Sequence, residues 1–194
     1  PGVHDIRTYS VWAAGELLRF ATDFLGIQFH GDCHTHIDAL CHIAYKGQLY
    51  NGHPVSSLTA AGAARNGIDK MAAGILSRGV LLDLARLHGV ESLAPGQVIG
   101  PDELDAAERA QGVRVESGDV LLLRTGYMRV FTVYGERTFY MKQAPGLGMA
   151  CIEWLHRREV AAVASDTMMV EVWPPEDPAV LFPLHAVCIR DMGL

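Results

Sequence analysis

The chain has no uninterrupted apolar run near the ~18 residues that a membrane-spanning helix needs. One of its apolar runs, Val80-Leu81-Leu82, meets Asp83 at once. It also has no basic cluster denser than Arg157-Arg158, and 16 Lys and Arg stand against 22 Asp and Glu, for a net charge of −6. That balance lacks the electrostatic footprint of a protein that grips a nucleic-acid backbone or anionic lipid. The expected partner is a small-molecule substrate, with no nucleic acid and no membrane. Cysteine is sparse: Cys33, Cys41, Cys151 and Cys188 lie far apart in a chain too large to need disulfide staples, and no stretch reads as a signal peptide. The thiols are therefore read as reduced and the protein as cytoplasmic. No Gly-Lys-Ser/Thr follows Gly146 and Gly148, which excludes a phosphate-binding loop there.

What is present is an ordinary globular mixture, 49% hydrophobic and 20% charged, with 20 Gly and 9 Pro scattered as turn residues between apolar runs. A length of 194 residues fits one domain over 1–194. Because the sequence opens at Pro1 without Met and stops at Met192-Gly193-Leu194 directly after an apolar segment, further segments are expected at both ends.

Apolar spacing predicts a helix from Pro1 to about Phe24, on Trp12, Leu17, Leu18, Phe20 and Phe24, and another around Ile68 to Leu76. Buried strands are predicted at Val80–Leu84, Val120–Arg124, Val160–Ala164 and Leu184–Ile189. Acidic residues after Pro101 and the stop at Gly112 predict a helix to about Gln111, and Met149–Arg158 reads as another. The segment from Thr125-Gly126 to Pro145 has little periodicity and reads as a surface excursion. Strands alternating with helices argue for an α/β fold.

The informative segment is Ile27 to His42. Read as a strand, it puts Gln28, His30, Asp32, His34, His36 and Asp38 on one side and apolar or small residues on the other. Solvated strand faces favour Thr, Lys and Glu; a face of His and Asp is metal-ligand and acid/base material, suited to zinc, manganese or iron(II). Strand residues two apart are roughly 6.5 Å apart, so His36 and Asp38 are an easy ligand pair. A third ligand from Asp32 needs the chain to bend at Gly31 or a bulge. One helical turn beyond Asp38 brings His42 back alongside it. Asp166, just past a strand end, is balanced between site residue and turn former, and His185 between a supporting role and a buried core histidine. Glu171 and Arg124 read as structural. His4, His53, His88 and His156 stand alone and carry no such expectation.

The stretch Asp32-Cys33-His34-Thr35-His36-Ile37-Asp38-Ala39-Leu40-Cys41-His42 resembles the hallmark His-x-Gly-Thr-His-x-Asp-x-Pro-x-His of the putative cyclase superfamily, which includes kynurenine formamidase and isatin hydrolase. Thr35, His36, Asp38 and His42 fall on hallmark positions, whereas Asp32, His34 and Leu40 replace its first His, its Gly and its Pro. Gly79–Asp83, Gly118–Gly126, Pro145-Gly146-Leu147, Ser165-Asp166-Thr167 and Pro183-Leu184-His185 are similar to later family landmarks, in order. The resemblance implies a swivelling β/β/α domain, an α/β fold with a mixed sheet and flanking helices, assembled as a homodimer or homotetramer. It implies a metal-dependent hydrolase that opens an amide or cyclic amide C–N bond. Asp32, His36 and Asp38 would hold one divalent ion, zinc or manganese, with His42 as general base. His185, His34 and Asp166 are candidates for a supporting role or a second ion. A cyclase, dehydratase or lactone hydrolase of the same family, or a metal-binding module without turnover, are the competing readings.

Overall fold

The computed structural model describes residues 5–14, 18–27, 30, 34–136, 140 and 142–194, and the chain divides into two compact units, 1–37 and 38–194. In the first unit β1 (Asp5–Ala14) and β2 (Leu18–Ile27) form an antiparallel ladder that sets Asp5 opposite Ile27 and Trp12 opposite Phe20. This corrects the helix predicted there. Ile6, Thr8, Tyr9, Val11 and Trp12 are β-branched or aromatic, which suits a pleated strand better than a helix, and the three- and four-residue spacings overlie a period of two. The strand imagined through Asp38 ends at Ile27, and residues 34–39 have no regular structure.

In the second unit two short strands, β3 (Leu58–Thr59) and β4 (Gly62–Ala63), pair antiparallel. The predicted helix at Ile68 shrinks to one 3₁₀ turn, Ile68–Met71. The main sheet is parallel, in the order β5 (Gly79–Asp83), β7 (Val120–Arg124), β9 (Ala162–Ser165). Its strands send Val80, Leu82, Leu121 and Leu123 into the core. There they meet Leu84 of α1 (Leu84–Leu87), Leu104 and Ala107 of α2 (Pro101–Gln111), and Trp154 and Leu155 of the helix Cys151–Arg157. α2 begins and ends as its sequence dictates: Pro101 opens it, Gly100 N–H donates to Glu103 Oε2 at 2.8 Å, and Gly112 closes it at φ 67°.

Two parallel two-residue strands, β6 (Val98–Ile99) and β8 (Gly146–Leu147), pair with each other, and Leu147 of β8 also forms an isolated bridge with Glu171. The predicted surface excursion instead contains the helix α3 (Met128–Thr132) and a second apolar cluster, with Tyr127 and Tyr140 buried and stacked at 5.6 Å. The predicted fourth strand is also corrected. The helix Cys151–Arg157 is α4, and α5 (Pro183–His185) opens at Pro183 and runs on as π-helical turns over Ala186–Met192. A short apolar run fits strand or buried helix equally, and a proline at the first helical position tips it to helix. Cys151 and Cys188 are free and buried, and burial pushes both thiols up to about 12, so they stay protonated and pack as apolar groups. Among the described residues no helix is long and apolar enough to cross a membrane.

One ion pair fixes where two sheet strands start. Arg78, just before β5, donates from Nε to Asp119 Oδ1 at 2.8 Å and from its terminal nitrogen to Oδ2 at 2.7 Å, while Val120 N–H donates to the Arg78 carbonyl. The guanidinium, helped by the Glu116 N–H, holds the Asp119 carboxyl down at about 2, below its ordinary 3.8. A carboxyl depressed in the folded state stabilises the fold above its unfolded value and loses that contribution as pH falls toward the folded one. Asp119→Asn is therefore expected to lower Tm at neutral pH and to flatten its decline between pH values of about 4 and about 2. Thermal melts across that range check it, and an unchanged slope would contradict it.

Candidate metal centre

Asp38, His42, Glu171 and His185 meet in the second unit. Asp38 lies near the end of the irregular segment 34–39, and His42 follows a turn closed by His42 N–H to the Ala39 carbonyl at 2.7 Å. That turn, not a helix, brings the His42 ring back to its neighbour. His42 Nε2 lies 4.0 Å from Asp38 Oδ1, and His185 Nε2 lies 3.8 Å from Asp38 Oδ2. One carboxylate thus stands between two imidazoles, whose ring centres are 6.3 Å apart.

His185 is the better anchored ring. α5 begins at Pro183, so the N–H groups of Leu184 and His185 have no partner within the helix. The Glu171 carboxylate supplies one: Leu184 N–H donates to Oε2 at 3.1 Å, His185 N–H donates to Oε1 at 3.2 Å, and His185 Nδ1 also bonds Oε1. Leu184 and Cys188 lie in the main core, which fixes the helix. Phe182 then meets the His185 ring edge-on at 5.9 Å and stacks on Trp173 at 5.4 Å. Phe182 and Val170 both take a left-handed backbone, at φ 52° and 55°. For a bulky and a β-branched residue that conformation is strained, and such strain gathers at functional sites. Side-chain exposure rises along the cluster, from 3% at Glu171 through 14% at His185 and 23% at Asp38 to 32% at His42. The chain of groups therefore runs from core to solvent.

The donor set fits a divalent ion. Two atoms each 2.0–2.2 Å from one zinc can be at most about 4.4 Å apart, and both Asp38 separations lie inside that limit. The donors are carboxylate oxygen and imidazole nitrogen, the set that suits zinc or manganese. With both rings neutral the four side chains carry two negative charges, which a divalent cation balances. Glu171 on the far nitrogen of His185 completes the carboxylate–histidine arrangement that orients metal-binding imidazoles.

Asp32 lies outside the described residues. His30, His34 and His36 belong to the first unit, where the His36 ring nitrogen Nδ1 bonds the His34 carbonyl at 2.8 Å and its ring meets His30 edge-on at 4.9 Å. Asp166 accepts from Thr125 N–H, Thr125 Oγ1–H and Gly126 N–H at 2.6–2.8 Å, tying the end of β9 to the end of β7. Among the lone histidines, His88 pairs with Glu103 at 2.7 Å on the surface. Glu171, read from the sequence as structural, is the residue whose place beside His185 sequence reasoning missed. The signal was available: a single carboxylate in Met168-Met169-Val170-Glu171-Val172-Trp173 is set to be buried, and a buried carboxylate requires donors.

An α/β protein with a carboxylate set between two imidazoles is the class that fold and site define. The chain belongs to the putative cyclase family, whose family model, described as "Putative cyclase", matches residues 4–172. It is similar to a crystal structure described as a novel cyclase, at 27% identity and a TM-score of 0.79 over all of this chain and 68% of that one. It shares its fold with isatin hydrolase A from Ralstonia solanacearum, at 19% identity and a TM-score of 0.57, covering 97% of this chain and 66% of that one. A further fold match is an isatin hydrolase bound to the product analogue thioisatinate, at 18% identity and a TM-score of 0.57, covering 95% of this chain and 65% of that one. The chain thus spans about two thirds of the length of these structures. None of the curated proteins matches it.

The position of Glu171 depends on a close backbone approach. β8 passes so near that a Cβ on Gly146 would lie 2.4 Å from the Glu171 carbonyl carbon and 2.5 Å from the Val170 oxygen. Neither is a side chain that can swing away. Gly146→Ala is expected to cost about 1–3 kcal/mol, a fall in Tm of roughly 2–12 °C for a chain of this size. A melt within a degree of the parent would show that the contact yields.

Proposed function

We propose that the chain is a metal-dependent hydrolase that opens an amide or cyclic amide C–N bond in a small aromatic or heterocyclic molecule. The observation that carries this reading is the Asp38 carboxylate between the Nε2 atoms of His42 and His185, in a chain of the cyclase family. Asp38 and His185 would hold a zinc or manganese ion. Such an ion supplies Lewis acidity toward a carbonyl and a lowered pKa for water. His42, the most exposed of the four, takes a proton from the attacking water as the C–O bond forms and returns it to the nitrogen as the C–N bond breaks. Asp38 Oδ1, 4.0 Å away, stabilises the ring while it carries that proton. The Trp173–Phe182 stack beside His185 offers a flat apolar surface to an aryl group, and a fold shared with isatin hydrolases suits a cyclic amide. Assembly into a homodimer or homotetramer is part of the same proposal.

The test is His42→Ala, assayed on an aryl formamide and on a fused-ring lactam after loading with Mn²⁺ or Zn²⁺. Turnover is expected to fall roughly 10²-fold or more while bound metal and Tm hold. Full activity would remove His42 from the reaction, and loss of the ion would make it a ligand. No turnover by the parent on any amide, lactam or lactone, with metal retained, would favour a binding module.

A further inference from the structure

We infer that Glu171 is a positioning residue that locks the tautomer of His185, keeping the proton on Nδ1 and the lone pair on Nε2. This rests on the reading above, in which His185 Nε2 is a metal donor. A neutral imidazole carries one proton, and the nitrogen that holds it is set by the partner of the other nitrogen. Here the two nitrogens face different carboxylates. Nε2 looks toward Asp38 Oδ2 at 3.8 Å, too far for a hydrogen bond, while Nδ1 is bonded directly to Glu171 Oε1. Glu171 has no freedom to reverse that bond. Its Oε2 is taken by the Leu184 N–H and its Oε1 by the His185 N–H, so both oxygens act as acceptors and the ring nitrogen must be the donor.

The surroundings prevent the carboxylate from leaving. Glu171 is 2% exposed. Its backbone lies against Gly146 and is bridged to Leu147 of β8, and Val170 before it is held in a left-handed conformation. On the other side, α5 is seated in the core through Leu184. Ring and carboxylate therefore sit on elements that each have packing of their own besides the bonds between them, Leu184 in the core and Glu171 against β8. The free imidazole side chain prefers its proton on Nε2, where it would block a metal, so the lock works against an intrinsic preference. The same carboxylate caps the helix, and ring orientation and helix start are set by one group.

The test begins with the unsubstituted protein free of metal. A long-range ¹H–¹⁵N spectrum at about pH 8, above the ordinary imidazole range, with His185 assigned by comparison with His185→Gln, reads the tautomer directly. A proton on Nδ1 alone is expected, and any proton on Nε2 overturns the proposal. Glu171→Gln then offers one acceptor oxygen and one NH₂ in place of two oxygens, so an amide or Nδ1 loses its acceptor. It is expected to populate the Nε2–H form and to weaken Mn²⁺ binding about 10–100-fold in calorimetric titration. Unchanged tautomer and unchanged Mn²⁺ affinity in a folded Glu171→Gln variant would overturn the lock. If that variant fails to fold, the parent spectrum still decides. An Nδ1–H tautomer in a parent protein that binds no Mn²⁺ or Zn²⁺ would bear out the lock and count against the metal reading.

Discussion

A carboxylate placed out of water must be given donors or it destabilises the fold by several kcal/mol, and Glu171 shows how this chain meets that demand. Its donors are two amides at the start of α5 and one ring nitrogen. The arrangement ties three levels of structure together. The helix gains its N-terminal acceptor, the carboxylate gains its hydrogen bonds, and His185 gains a fixed orientation toward Asp38. Gly146, Val170 and Phe182 each take a conformation or a clearance that serves this contact.

The sheet does a different job. Of its three parallel strands, β5 and β7 are joined at their starts by Arg78 and Asp119, and β7 and β9 at their far ends by Asp166 on Thr125 and Gly126. Arg124 and Asp83, opposite each other on β7 and β5, pair at 2.8 Å. These clamps are spaced along one small sheet, so the strands keep a register in which Val80, Leu82, Leu121 and Leu123 share the core with Leu184 and Cys188. In this way a core built from the sheet holds the helix that carries His185.

Sequence periodicity revealed the elements whose boundaries are written in local chemistry. β5 and β7 are uninterrupted apolar runs, and α2 carries its own proline, acids and terminal glycine. It misread the segments where two periods coincide. The first 27 residues satisfy both a loose helical spacing and a strand alternation, and only pairing with a partner strand chooses between them. The run after Pro183 is too short to decide by pattern. Of the centre, Asp38, His42 and His185 were visible as residue types that few faces collect. Glu171 read only as structural, because its meaning lies in a contact across 14 residues of chain rather than in a neighbour. Asp166 carried the opposite lesson: a position past a strand end that suggests chemistry is occupied by a clamp.

The central claim is that Asp38 and His185 form one centre through His185 Nε2, with Glu171 behind the ring. Anomalous scattering from crystals of the protein grown with Mn²⁺ addresses it most directly. The account predicts one strong peak, bonded to an Asp38 oxygen and to His185 Nε2 at a little over ~2 Å, with Nδ1 still on Glu171. A peak that touches neither Asp38 nor His185, or a His185 ring turned so that Nδ1 faces the ion, would contradict it.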